Sequence, residues 1–179
     1  MHPQHDDKLH PYPVQQLTEC KSAAFFFCVA FGGIYDVSHA HKHSVDEVTL
    51  VDINADKLKE AKKFYSPEWN YIHGDAFEVA TELLKENKSF DLVSCDPWTG
   101  MQSKIYKDNF LDFYNITNKY MVFLATKEYL YSLGIDIADV TQISSYLSKL
   151  HNLNLNVVSV IKRSDYKSGV YWVTIKIDK

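Results

Sequence analysis

Residues Asn70 to Gly100, NYIHGDAFEVATELLKENKSFDLVSCDPWTG, read as strand, acidic turn, helix, strand and a second acidic turn. Tyr71 and Ile72 end a short β-rich run, and the turn Gly74-Asp75-Ala76 breaks it. Phe77 to Glu86 then carries Phe77, Val79, Ala80, Leu83 and Leu84 at helical spacing, and Phe90 to Cys95 is the next strand. This order is the ligand-binding half of a doubly wound α/β sheet. In such sheets small molecules bind outside the carboxyl ends of the strands, so Asp75 and Asp96, each just past a strand end, are expected to face one crevice.

Working outward, the pattern continues in both directions. Strands are expected at Ala24 to Phe31, Glu47 to Asp52, Trp69 to His73, Phe90 to Cys95, Tyr120 to Ala125, Leu155 to Arg163 and Tyr171 to Ile177, with helical patterns between the first six. Only Ser164 to Val170 separates the last two, and its Asp165, Ser168 and Gly169 are the chemistry of a hairpin turn. The expected fold is therefore α/β: a Rossmann-like, doubly wound, seven-stranded sheet, mostly parallel with a C-terminal antiparallel hairpin. Asn54 is placed to cap a helix from Ala55 to Tyr65, which Pro67 stops. Asp136 is placed to cap a helix from about Ile137 to Leu150, with Val140, Ile143, Tyr146 and Leu150 on its inner stripe. Residues 1–22 are polar, hold three of the five prolines and three of the eight histidines, and read as a loose arm or short helix. Residues 23–179 read as one domain.

Composition narrows the function classes. An apolar share of 46% with regular periodicity excludes a disordered chain. The longest apolar run, Ala23 to Phe31, spans nine residues, far short of a bilayer, and the N-terminus has no secretory-signal pattern, so the expectation is a cytoplasmic protein without a membrane partner. Cys20, Cys28 and Cys95 are an odd count without CxxC spacing and read as buried free thiols; Cys28, inside an apolar strand, is expected to be unreactive. A net charge of −4 gives no global attraction to a polyanion, although Lys57, Lys59, Lys62 and Lys63 form a local basic run that reads first as a solvated helix face. His39, His41 and His43 alternate, but i, i+2, i+4 positions do not share a helical face, so the run reads as a polar helix end and no metal is expected.

Three strand ends carry the candidate chemistry. Phe31-Gly32-Gly33 follows the first strand, where glycines let a backbone approach a ligand closely and bring a helix N-terminus beside it. Asp52 ends the buried run Val48-Thr49-Leu50-Val51, 20 residues after Gly32, a spacing at which a carboxylate can accept hydrogen bonds from both ribose hydroxyls of an adenosine cofactor. Asp75 precedes a helix, where an ordinary N-cap is an equal alternative to ligand binding. Asp96-Pro97-Trp98-Thr99 follows the fourth strand directly.

Together these segments resemble the motifs of class I S-adenosylmethionine (SAM) dependent methyltransferases. Gly74-Asp75-Ala76 is similar to the turn that receives the adenine of SAM, and Asp96-Pro97-Trp98-Thr99 resembles the D-P-P-[YFW] turn of enzymes that methylate amino groups of bases, such as the small guanine-N2 and adenine-N6 enzymes. The resemblance spans Phe25 to Lys179. It implies SAM as cofactor, lying across Phe31, Gly32, Gly33, Asp52, Ile53, Asp75, Ala76 and Asp96, with Ile53 against the adenine, Asp75 on its amine and the Ala76 amide on a ring nitrogen. It implies Asp96, Pro97 and Trp98 as the reaction centre, where a carboxylate and a turn carbonyl accept the hydrogens of a poorly nucleophilic amine and an aromatic ring stacks on the base. Two positions depart from the pattern. Cys28 stands about where the family has an acid for the SAM ammonium, so Asp36 or another group substitutes for it, or SAM binds weakly or not at all. The second proline of the turn is replaced by Trp98. The readings are then a methyltransferase acting on an amino nitrogen, of RNA or DNA for example; a methyltransferase of small molecules or proteins; or a methyltransferase-like binding module without activity. The aromatic run from Tyr106 to Tyr120 is expected to be mostly core, with a base pocket as the alternative.

Overall fold

The computed structural model describes residues 12–27, 33–96, 104–162 and 169–178. The chain runs α1 (Val14–Thr18), β1 (Ser22–Phe27), α2 (Gly33–Lys42), β2 (Glu47–Asp52), α3 (Ala55–Phe64), β3 (Asn70–His73), α4 (Ala76–Lys85), β4 (Phe90–Asp96), α5 (Lys104–Asn115), β5 (Thr117–Thr126), α6 (Lys127–Ser132), α7 (Val140–His151), β6 (Asn156–Lys162) and β7 (Val170–Lys176). The seven strands form one sheet in the order β3-β2-β1-β4-β5-β7-β6. β3, β2, β1, β4 and β5 are parallel, whereas β7 is antiparallel to both β5 and β6. This is the expected architecture, including the terminal hairpin.

Strand alternation divides the core into two layers. Ala24, Phe26, Val93 and Cys95 face the layer covered by Val79 and Leu83 of α4, Phe110 and Phe113 of α5, and Ile143 and Leu147 of α7. Ala23, Phe25, Leu50 and Leu92 face the opposite layer, closed by Leu17 of α1, Val37 and Ala40 of α2, and Leu58 and Ala61 of α3. Both faces of the parallel strands are thereby covered, which is why they read as continuous apolar runs rather than as alternating ones.

The caps explain several boundaries. Asn54 accepts from the amides of Asp56 and Lys57, each at 3.1 Å, and starts α3 where expected. The helix after α6 departs from expectation. Asp139, not Asp136, caps α7 by accepting from Thr141 at 2.9 Å and Gln142 at 3.1 Å. Asp136 instead accepts from the Ala138 amide at 3.0 Å in a turn whose Ile135 and Ile137 are buried. The inner stripe is set by Ile143 and Leu147, while Val140 and Leu150 are exposed. α4 begins one residue earlier than expected because Asp75 is its cap.

Candidate functional site

The register of the central strands brings two of the expected acids onto one row. Phe27 of β1 pairs with Asp96 of β4. Phe26 pairs with Val51 of β2, so the next step sets Phe27 beside Asp52, and Asp52 in turn pairs with His73 of β3. Asp52 and Asp96 are therefore two strands apart, about 10 Å between Cα atoms at the usual strand spacing. Both alternate onto the face that carries Leu50 and Leu92, the side of α1, α2 and α3.

Asp52 is fixed by the turn that follows it. Asp52 is 1% exposed, and its Oδ1 accepts from the Asn54 amide at 2.6 Å. Its carbonyl accepts from the Gly74 amide at 3.1 Å, which ties the end of β2 to the turn after β3. His73 Nε2 lies 3.0 Å from the Ile53 carbonyl; a carbonyl only accepts, so the imidazole donates from Nε2. With its backbone held from both sides, Ile53 projects into solvent and is 66% exposed. A large apolar side chain beside a strand-end acid leaves one flat hydrophobic contact free at the rim of the crevice.

At the turn after β3, Asp75 is the cap of α4. Its Oδ1 accepts from the amides of Phe77 at 2.9 Å and Glu78 at 3.3 Å, and its Oδ2 makes no hydrogen bond to the described residues. Gly74 is required by packing, since a Cβ there would lie 2.8 Å from Val79 Cγ2. Ala76 is the first residue of α4 and is half-buried. Gly33 opens α2, and Asp36 lies within that helix. The expectations for Cys28, Phe31, Gly32, Pro97, Trp98 and Thr99 lie outside the described residues.

Asp96 ends β4 and is half-buried. The residue before it, Cys95, faces the opposite layer, and burial, reinforced by the Asp96 charge, holds its thiol well above the usual range. Two places earlier, Ser94 shares the face of Asp96; its hydroxyl is buried and makes no hydrogen bond to the described residues. Sequence reading passed over Ser94, although its position two residues before a candidate acid on a strand was a usable signal.

Beneath this edge lies an aromatic group that the sequence reading also missed. Trp172 of β7 meets Tyr12 edge-on at 5.4 Å, and Tyr12 stacks on His39 of α2 at 5.6 Å. His39 is fully buried, so the histidine run is a helix end as expected but not a uniformly polar one. His41 instead packs against Tyr65 and Trp69. Among the described residues, no group of three or more His, Cys, Asp or Glu could hold a metal ion. Phe110 and Phe113 of the aromatic run are core residues, whereas Lys57 and Lys59 pair with Glu60 and Asp56 on the exposed face of α3.

At the carboxyl end of β5 the surface is basic and aromatic. Lys127 Nζ lies 5.0 Å from the Tyr131 ring centre, and Lys107 Nζ 5.6 Å from that of Tyr129. Lys127 is set against the base of the β6–β7 hairpin: its amide donates to the Gly169 carbonyl at 2.7 Å, and a Cβ on Gly169 would meet Lys127 Cβ at 2.9 Å.

No protein-family model matches the chain, and no curated protein matches it either. Solved structures do. A proposed SAM-dependent methyltransferase from Streptococcus mutans is similar over 92% of this chain with a TM-score of 0.64 and 12% identity, and this chain spans 47% of its length. The N-methyltransferase NodS from Bradyrhizobium japonicum matches 93% of each chain with a TM-score of 0.60 and 11% identity. Human methyltransferase-like protein 13, solved in complex with SAH, matches 93% of this chain and 77% of its own, with a TM-score of 0.59 and 14% identity. The chain thus has the class I, Rossmann-like fold of SAM-dependent methyltransferases. At such identities the likeness speaks to the fold, and the chemistry has to be argued from the residues at the strand ends.

Proposed function

We propose that the protein is a SAM-dependent methyltransferase acting on an amino nitrogen, with a nucleobase of RNA or DNA as the acceptor. The observation that carries this reading is the row in which Asp52 and Asp96 flank the end of β1 on one face of the sheet. In this reading Asp52 accepts from the cofactor ribose, Ile53 lies against the adenine, and Asp75 accepts from the adenine amine through Oδ2, which its capping role leaves available. The Ala76 amide meets a ring nitrogen, and Phe31, Gly32 and Gly33 line the other end of the cofactor. SAM, when bound, supplies an electrophilic methyl group on a sulfonium. What remains for the protein is alignment: Asp96 accepts a hydrogen of the acceptor amine and directs its lone pair, Pro97 stiffens the turn, and Trp98 stacks on the base.

Lys107 over the Tyr129 ring and Lys127 beside the exposed ring of Tyr131 support a nucleic-acid acceptor, because ammonium groups that meet phosphates and a ring that stacks on a base suit one strand. Residues 23–179 form the methyltransferase domain in this proposal, and 1–22 its arm, from which Tyr12, Leu17 and Cys20 pack on the sheet. A cytoplasmic location belongs to the same reading; Cys20 and Cys95 are free thiols, and no helix of the described residues is long and apolar enough to cross a membrane.

The test is calorimetric titration with SAM and S-adenosylhomocysteine, paired with transfer of labelled methyl from SAM to RNA and DNA. Asp52→Ala is expected to weaken SAM by about 1.5–3 kcal/mol, the worth of hydrogen bonds to a charged group. Asp96→Ala should remove most turnover while leaving SAM affinity within a few-fold. Absence of saturable SAM binding by the folded wild-type protein would leave the binding-module reading as the better one.

A further inference from the structure

Tyr12, His39, Ser94, Asp96 and Trp172 each hold a side-chain polar atom shut off from solvent: Oη, Nδ1, Oγ, Oδ1 and Nε1 respectively. All five lie in the layer closed by α1, α2 and α3. Tyr12 and Trp172 belong to its apolar cluster, His39 stacks on Tyr12, and Ser94 and Asp96 alternate onto the face of Leu92. The Tyr12 ring groups them. It lies 6.3 Å from the ring of Phe25 on β1 and 5.4 Å from that of Trp172 on β7, and β4 and β5 are the two strands between. Phe25 pairs with Ser94, and Trp172 pairs with Leu124, which the β4–β5 register sets beside Asp96. A ring that reaches both sides therefore roofs the step from Ser94 to Asp96.

Ser94 is the group here that the proposed reaction leaves unused. It is fully buried on a central strand, and its hydroxyl makes no hydrogen bond to the described residues. Serine at such a position weakens a fold relative to alanine unless the hydroxyl is engaged, because a buried polar group has given up its hydration. The next residue of β4 on the same face is Asp96, about 6.6 Å further along between Cα atoms at the usual strand rise. Two polar groups one pleat apart are spanned by a single water molecule, which accepts from a hydroxyl and donates to a carboxylate.

We infer that Ser94 is a positioning residue for Asp96: through a water held under the Tyr12 ring, its hydroxyl anchors Oδ1, fixes the rotation of the carboxylate and leaves Oδ2 turned to the crevice. Oδ1, shut off from solvent, is out of reach of an acceptor that enters from the strand ends. Anchoring one oxygen gives the other a single direction, which is what alignment of an amine lone pair requires. The use of Oδ2 by an acceptor amine rests on the methyltransferase reading; the anchoring of Oδ1 does not.

The test is a crystal structure of the full chain at a resolution that shows ordered water, with Ser94→Ala and Ser94→Thr compared by thermal unfolding, SAM calorimetry and transfer of labelled methyl from SAM. A water within about 3 Å of both Ser94 Oγ and Asp96 Oδ1 is expected. Ser94→Ala should lower the Tm by about 2–4 °C. It should slow kcat by about three- to tenfold, the worth of one hydrogen bond. SAM affinity should stay within about twofold, since Ser94 has no surface in the crevice. Ser94→Thr keeps the hydroxyl and should restore most of both losses; if that variant does not fold, the comparison of Ser94→Ala with wild type decides alone. Absence of the water overturns the proposal. So does a Ser94→Ala protein as stable and as fast as wild type, and so does one whose loss of rate is matched by an equal loss of SAM affinity, which would be a general disturbance of the crevice. A wild-type protein that binds no SAM fails the methyltransferase reading instead, and the water and the Tm of Ser94→Ala still decide whether Ser94 holds Asp96.

Discussion

Asp75 is the residue at which a structural role and a binding role can be separated experimentally. Its Oδ1 holds two α4 amides, at 2.9 and 3.3 Å, and its Oδ2 is the atom left for an adenine amine. Asp75→Ala removes the cap, worth about 1 kcal/mol, and a negative charge at a helix N-terminus, worth about 0.3–1 kcal/mol. A loss of about 1.5–2 kcal/mol lowers the Tm of a chain of this size by about 3–8 °C. Asp75→Asn behaves differently. Asparagine caps about as well as aspartate, so stability should stay within about 0.5 kcal/mol. Its Nδ2, however, puts a donor where the adenine amine needs an acceptor, and SAM affinity should fall about tenfold, the worth of one charge-assisted hydrogen bond. Thermal unfolding and SAM calorimetry on both variants read the two effects apart. An Asp75→Asn protein that keeps full stability and full SAM affinity would refute the adenine role and leave Asp75 a cap alone.

Three further outcomes are expected. Burial, and then the Lys107 charge, lower the His151 pKa to about 4, so the unfolded chain takes up a proton that the folded ring refuses. Stability should accordingly fall as pH drops from the ordinary histidine value toward about 4, and His151→Phe, which keeps the stack on Phe110, should reduce that fall in urea titrations at pH 7 and pH 5. Gly74→Ala should cost about 1–3 kcal/mol in chemical denaturation because the new methyl meets the buried Val79, and a neutral result would mean that α4 can shift on the sheet. Cys95, and Cys20 with its thiol pushed up to about 12 chiefly by burial, should react with a thiol reagent in the native protein far more slowly than in urea; fast native labelling of either would contradict its packing.

The parallel strands were legible in the sequence because burial on both faces writes them as unbroken apolar runs, and the Asn54 cap because it directly precedes the helical pattern that begins at Ala55. Asp136 and Asp139 show where such reading stops. Both precede good helical residues, and the choice falls to Asp139 because Ile135 and Ile137 draw the intervening turn into the core. The helix face follows from a partner distant in sequence: His151 stacks on Phe110 at 3.7 Å, which orients α7 on Ile143 and Leu147 rather than on Val140 and Leu150. At the site, Asp52, Asp75 and Asp96 were visible as acids at strand ends. That Asp52 and Asp96 share one row depends on strand order, which periodicity does not encode. The contact of Tyr12 with Trp172 joins residues from the two ends of the described chain, and no local pattern could announce it.

The position of β7 has a consequence for how the sheet assembles. β7 follows β6 in the chain yet lies between β6 and β5, so β6 has no neighbour in the sheet except a strand made after it. The two strands are close in sequence and antiparallel, and a hairpin of that kind forms in microseconds, well before pairings that must close long loops. The economical route is for β6 and β7 to zip together first and then to dock as a unit along β5. Docking is the step that buries Trp172 and brings it against Tyr12, so the last edge to join the sheet also locks the first described residues of the chain in place.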